Sequence, residues 1–293
     1  MIISASRRTD LPAYYSEWLR NRIAAGFVLV RNPFSARQVS RISLDPEHVD
    51  GIVFWSKNPA PMLDCLEEFR EYSYYFQFTL NAYGREVEPE LPSLEERIRT
   101  FLRLSDMIGP ERVLWRYDPV LINQVYTMDW HRKQFRFLCS QLAGATSLCT
   151  FSFLDFYRKI AGKIRPLQPV PWTDDLQLET AKMLAETAAV YGIPLVSCAE
   201  TGDFSSVGVR HGCCIDAARL NVRYRKDKNQ RPACGCCQSV DIGRYNTCRN
   251  GCLYCYASQS PARIAAECAR YRPDSPLLCS EPDGNDRITE RKG

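Results

Sequence analysis

Histidine is scarce, with three in 293 residues, and His48, His131 and His211 show no metal-site spacing. Only His211 lies near a cysteine, two residues before Cys213. No window of about eighteen apolar residues occurs, which excludes a membrane-spanning helix. The opening residues, Met-Ile-Ile-Ser-Ala-Ser-Arg-Arg, lack the charged-then-apolar layout of a secretory signal, so a cytoplasmic location is expected. No glycine-rich fingerprint follows the first apolar run, which argues against a dinucleotide-binding Rossmann domain. Internal repeats and low-complexity stretches are absent. The formal net charge of +4 is mild; it permits an anionic substrate without demanding nucleic acid. Hydrophobic content of 45% and charged content of 25% are those of an ordinary globular chain, long enough for one large barrel or two smaller domains.

Cysteine, in contrast, is abundant, with fourteen residues. In a reducing compartment disulfides are not expected, so metal or redox chemistry is the better account of so many thiols. Three of them stand in one stretch from Ser239 to Ala257, where Cys248, Cys252 and Cys255 are spaced C-x3-C-x2-C and Tyr254 precedes the last. Val240–Tyr245 reads as a strand and Ser258–Tyr271 as a helix, so the thiols fall on a strand-to-helix loop, residues 246–257. Three thiolates on one short loop can hold three irons of a cubic 4Fe–4S cluster, leaving one iron open. Four-cysteine zinc sites usually pair two C-x2-C knuckles, which this spacing does not do; zinc and unligated thiols are the alternatives.

The rest of the chain repeats one rhythm: a short apolar run, a polar end, then an amphipathic helix. Strands are predicted at Ile2–Ser6, Phe27–Val30, Gly51–Trp55, Tyr74–Leu80, Arg112–Tyr117, Leu148–Leu154, Ile193–Ser197 and Val240–Tyr245. Helices are predicted at Ala13–Ala25, Pro61–Tyr72, Ser93–Ile108, Asp129–Leu142 and Thr173–Tyr191, with Ser40–Leu44 a possible added strand. Such alternation predicts an α/β fold with a parallel sheet, and eight units predict a closed, TIM-like (β/α) barrel. One domain over residues 1–271 is expected, followed by an extended, Pro- and Asp-rich tail over 272–293.

The loop, with an aromatic residue before its third cysteine, resembles the signature of the radical SAM superfamily. In that superfamily the open iron binds the amino and carboxylate groups of S-adenosylmethionine. One electron from the reduced cluster then cleaves the sulfonium to a 5′-deoxyadenosyl radical. The segments I-I-S-A-S-R-R-T-D, V-L-V-R-N-P, F-W-S-K-N-P, R-Y-D-P, S-C-A-E and Y-N-T-C-R-N-G-C-L-Y-C-Y-A resemble one bacterial family, domain of unknown function number eighteen-forty-eight. The first resemblance implies an enzyme, S-adenosylmethionine as a ligand, and a reducing donor such as a flavodoxin or ferredoxin. It also implies a circular permutation. The superfamily's cysteine loop follows the first strand, whereas here it follows the last, so Val240–Tyr245 is expected beside Ile2–Ser6. The superfamily's glycine-glycine-glutamate edge is missing; Ser6–Arg8 take its place. Lys57, Thr79, Asn81 and Arg116 fall on strands that commonly touch ribose and carboxylate there.

In parallel barrels the strand C-terminal ends carry the site. Those ends here hold Ser6, Arg7, Arg8, Arg31, Asn32, Ser56, Lys57, Asn58, Thr79, Asn81, Arg116, Asp118, Asp155 and Glu200. Each could equally be a helix cap. Ser6, Lys57, Thr79, Asn81 and Tyr254 are the candidate cofactor contacts. Arg7, Arg8, Arg116, Asp118 and Glu200 are the candidate catalytic groups. Arg7, Arg8, Arg31 and Arg116 would give a positive mouth suited to carboxylate or phosphate, or else pair structurally with Asp10, Asp118 or Glu200. A second cysteine group, Cys198, Cys214, Cys234 and Cys236, could hold an auxiliary iron–sulfur cluster or zinc, or serve as small apolar filler. Arg219–Arg231 carries six basic residues, either a phosphate-binding run or a solvated loop. Two rival functions stay open: an iron–sulfur electron-transfer or sensor protein, and a zinc-stabilised nucleic-acid-binding protein.

Overall fold

The computed structural model describes residues 1–291. In chain order its elements are β1 (Ile2–Ala5), α1 (Leu11–Tyr14), α2 (Ser16–Ala25), β2 (Phe27–Arg31), β3 (Gln38–Ser43), β4 (Gly51–Ser56), a 3-10 stretch (Ala60–Phe69), β5 (Tyr74–Thr79) and α3 (Leu94–Ile108). There follow β6 (Val113–Val120), α4 (Met128–Leu142), β7 (Cys149–Phe153), α5 (Ala161–Ile164), α6 (Asp174–Val190), β8 (Leu195–Cys198), β9 (Arg210–Gly212), β10 (Val240–Asp241), α7 (Pro261–Cys268) and β11 (Arg287–Glu290). Short polar signals set the helix ends. Ser93 and Glu96 form a reciprocal capping box at the start of α3, which satisfies backbone donors that the first turn leaves free. Among the described residues no helix is long and apolar enough to cross a membrane.

Eight strands form one sheet in the order β10-β1-β4-β5-β6-β7-β8-β9, every ladder parallel. The strand before the cysteine loop does lie beside the first strand, with Ile3 opposite Val240 and Ser4 opposite Asp241. Side chains alternate between faces. On the helix-covered face Phe54, Phe76, Phe78, Trp115, Tyr117 and Phe151 are fully buried, and the Phe54 and Phe76 rings stack at 4.7 Å. On the other face Ile2, Val53, Tyr75 and Leu114 pack beneath Cys214, Ile215, Leu220, Cys234, Cys236 and Cys237. The cysteine-rich segment after β9 therefore covers the lower half of that face. Further along the same strands, alternate positions turn polar: Trp55 and Lys57, Gln77 and Thr79, Arg116 and Asp118.

The sheet is open, not the closed barrel expected from eight strand–helix units. Closure would need a ladder between β9 and β10, the two edges. These edges are three and two residues long, and the chain between them folds across the sheet face instead. The count of eight also hid two errors that cancel. Phe27–Arg31 leaves the main sheet and pairs antiparallel with β3, which β11 joins in parallel. Its place is taken by β9, three residues with no apolar pattern. Arg31 is thereby removed from the site and forms an ion pair with Asp286. The tail from residue 272 is not simply extended over the surface. Leu277, Leu278 and Cys279 are buried, the Ser275 carbonyl accepts from the Trp18 indole at 2.8 Å, and β11 completes the small sheet.

Candidate thiol-lined active site

The cysteine loop is tied to the sheet from several sides. The Tyr15 hydroxyl donates to the Thr247 carbonyl at 2.7 Å, and the Tyr14 hydroxyl donates to Asn250 Oδ1 at 2.6 Å. Lys163 Nζ donates to the carbonyls of Cys255 and Ser258 at 2.9 and 2.8 Å. The Leu253 amide donates to the Val87 carbonyl at 3.0 Å. Gly251 has φ +70°, and a Cβ there would sit 2.9 Å from Pro89, so the turn between Cys248 and Cys252 needs a residue without one. Held this way, Cys248, Cys252 and Cys255 all line one cavity of about 630 Å³ at the C-terminal ends of the strands. Burial pushes the Cys248 thiol up, and Asp10 adds to this. Burial also pushes the Cys252 thiol up to about 12, opposed by the Lys57 ammonium.

Two buried carboxylates organise this end of the sheet. Asp10 accepts from the Ala13 amide at 3.1 Å, Ser56 Oγ at 2.7 Å, the Lys57 amide at 2.9 Å and Asn250 Nδ2 at 3.1 Å. It thus joins α1, the end of β4 and the cysteine loop. Glu88 is 2% exposed. It accepts from Lys57 Nζ at 2.9 Å, from the Tyr254 hydroxyl, and from the buried Arg97 at 3.5 Å. Burial alone would lower the Lys57 ammonium, but Glu88 outweighs it and holds the group above its ordinary value. Lys57 Nζ also stands 5.3 Å from the Tyr254 ring centre, so the residue before Cys255 is fixed by the strand-end lysine and its carboxylate.

The opposite wall carries the second thiol group. Cys198 Sγ lies 3.0 Å from Cys214 Sγ, and Arg116 Nη1 donates to Cys214 Sγ at 2.7 Å. The amides of Cys214 and Ile215 donate to Cys236 Sγ at 3.3 and 3.4 Å. The neighbouring Cys214 thiol lowers Cys198 to about 7, and Cys236, beside the Cys214 and Cys234 thiols and accepting the two amides, is held well below the usual thiol range. Arg116 is also paired with Asp118. Burial alone would raise the Asp118 carboxyl; Arg116, together with a hydrogen bond from Ser152, holds it below its ordinary value.

The cavity gathers Ser6, Arg7, Arg8, Lys57, Thr79, Arg116, Asp118 and Tyr254 with both thiol groups. Not all of these are free to bind. Ser6 donates to Asp241 at 2.7 Å, and Arg8 lies 3.8 Å from the same carboxylate. Arg7 donates to Ser239 at 3.2 Å. Asn81 does not line the cavity; its amide exchanges bonds of 2.9 Å with the backbone of Asp118 and so positions that segment. Glu200 also lies outside the lining. It accepts from the Phe153 amide at 3.0 Å, and burial raises it to about 7. Asp155 lines the cavity and pairs with Arg231 of the basic run at 2.8 Å. Six basic side chains (Arg7, Arg8, Lys57, Arg116, Lys159 and Arg231) line the cavity with four aspartates, and Glu88 and Asp227 pair with Lys57 and Arg7 from outside the lining, so most of the positive charge there is already paired. Among the described residues no three His, Cys, Asp or Glu side chains meet at a single ion position.

Sequence reasoning missed Glu88, Asp241 and Trp55. Glu88 sits in the loop Glu86-Val-Glu-Pro-Glu90 with nothing to mark it among its acidic neighbours. Trp55 was detectable from strand alternation, since it shares a face with Val53 and Lys57. Its ring lies 5.9 Å from the Arg7 guanidinium and 5.3 Å from that of Arg116.

An open parallel α/β sheet, with two thiol groups facing one basic cavity at its strand ends, defines the class of protein. The chain belongs to the family described as Domain of unknown function (DUF1848), whose model matches residues 2–257. Comparison with curated proteins and with solved structures returned no match.

Proposed function

We propose that this protein is an iron–sulfur enzyme of the radical SAM type, with Cys248, Cys252 and Cys255 as ligands of a 4Fe–4S cluster and S-adenosylmethionine as its co-substrate. The observation that carries the reading is the C-x3-C-x2-C loop itself, pinned at the strand ends with all three thiols on one cavity. In a cubic cluster each thiolate binds its own iron, so these sulfurs need not meet at one point. When bound, the cluster would supply the electron for reductive cleavage of the sulfonium. The chain's own contribution is placement and charge. Asp10, Tyr14, Tyr15 and Lys163 hold the loop in shape. Lys57 and Thr79 offer a cation and a hydroxyl beside the thiols. Arg7 and Arg116, flanking Trp55, present positive charge to an anionic substrate. In this reading β10 corresponds to the superfamily's first strand, and the fold is a circular permutation of it.

The test is anaerobic reconstitution with iron and sulfide, followed by metal analysis and paramagnetic resonance of the reduced protein. About four irons per chain are expected at the loop, falling sharply in the Cys248→Ala, Cys252→Ala and Cys255→Ala variants. Tight zinc with no cluster would overturn the proposal.

A further inference from the structure

The thiols of the opposite wall are placed for a chemistry of their own. Cys198 and Cys214 come from different parts of the chain, the end of β8 and the segment after β9, yet their sulfurs stand 3.0 Å apart. A disulfide needs about 2.05 Å, so a closure of about one ångström would join them. Both line the cavity, but unequally: Cys214 is 3% exposed and Cys198 is more open. Arg116 Nη1 donates to Cys214 Sγ at 2.7 Å, and Arg116 is held in turn by Asp118. By contrast, Cys139 and Cys149 are fully buried in the helix-covered core.

We infer that Cys198 and Cys214 form a reversible dithiol–disulfide couple that exchanges two electrons with a small disulfide entering the cavity. The Cys198 thiolate attacks one sulfur of the disulfide, forming a mixed disulfide and releasing one thiolate. That thiolate takes the proton from Cys214. The Cys214 thiolate, held by Arg116, then attacks the Cys198 sulfur and expels the second thiolate. One thiolate and one thiol of the protein and one disulfide give one protein disulfide, one thiol and one thiolate. Cys198 attacks first because it is the more accessible sulfur; Cys214 resolves. The inference holds whether or not the cysteine loop binds a cluster.

The test uses the full chain under anaerobic, metal-chelated conditions in a series of oxidised and reduced dithiothreitol mixtures. Free thiols are then trapped by alkylation and mapped by peptide mass. One bond between Cys198 and Cys214, appearing and disappearing reversibly with the mixture, is expected. Cys198→Ser and Cys214→Ser should each abolish it, and Cys213→Ser should leave it. Replacing Arg116 by Gln should favour the oxidised form about tenfold, or about 30 mV, because the guanidinium stabilises the reduced sulfur. Failure of the pair to close, closure onto Cys213, Cys234 or Cys236 instead, or thiols blocked by retained metal would each overturn the inference.

Discussion

Replacing Glu88 by Gln tests whether the polar end of the sheet is organised as described. The carboxylate is 2% exposed and faces two cations, Lys57 at 2.9 Å and Arg97 at 3.5 Å. Glutamine keeps the shape but leaves both charges buried and uncompensated. Breaking a buried pair in this way costs about 3–5 kcal/mol. For a chain of this size 1 kcal/mol corresponds to about 2 °C in Tm, so a fall of about 6–10 °C is expected. The pH dependence is the sharper test. In the wild type the Lys57 ammonium is held above its ordinary value. Its contribution is therefore fully present below the unfolded value, about 10.4, and is lost as pH rises through the folded one. In the variant the raising effect of Glu88 is gone, and burial together with the Arg97 charge pulls Lys57 down against the nearby Cys252 thiol, so stability is expected to rise with pH between that lowered value and about 10.4. The gap between the two proteins, measured by denaturant unfolding, should be widest near pH 7 and narrow toward pH 10. A gap under about 1 kcal/mol, or one that does not change with pH, would refute the organising role of Glu88.

Glu200→Gln has the opposite sign. Burial raises the wild-type carboxyl to about 7, so its stability contribution is present below the unfolded value and lost as pH rises through 7. The variant, which keeps an acceptor for the Phe153 amide, should be more stable than wild type at pH 8 by on the order of 2 kcal/mol and show no gain at pH 4. Gly243→Ala should cost about 1–3 kcal/mol, because a Cβ would lie 2.0 Å from Ser6 Oγ and 2.6 Å from Ser6 Cβ. Gly162→Ala, with nothing within 4 Å, is the matched control and should be neutral or slightly stabilising; thermal melts of both variants decide this.

Much of the layout could be read before any coordinates, and the exceptions have physical causes. Apolar runs such as Gly51–Ser56 and Tyr74–Thr79 are long and β-rich enough to declare parallel strands. Phe27–Arg31 looks the same locally, and only its antiparallel partner at Gln38–Ser43 reveals that it belongs to another sheet. Arg210–Gly212 forms the far edge although its sequence, Arg-His-Gly, has no strand character; the ladder with β8 creates it. Closure of a barrel depends on whether two short edges meet, which strand counting does not address. At the site, the cysteine spacing and the polar strand ends were visible because they are local. Glu88, Asp10 with its four donors, and the approach of Cys214 to Cys198 and Arg116 depend on distant segments meeting, and spacing carries no record of that. Asn81 and Glu200 show the converse: polar residues at strand ends whose bonds serve the backbone beside the cavity.

The most direct test of the central claim is anaerobic. The reconstituted and reduced wild-type protein is given S-adenosylmethionine beside the Cys252→Ala variant, and 5′-deoxyadenosine is measured. Product from the wild type and none from the variant is the predicted result. A cluster that forms fully yet yields no 5′-deoxyadenosine, with or without a panel of anionic substrates, would contradict it and leave an iron–sulfur protein of electron-transfer or sensing type.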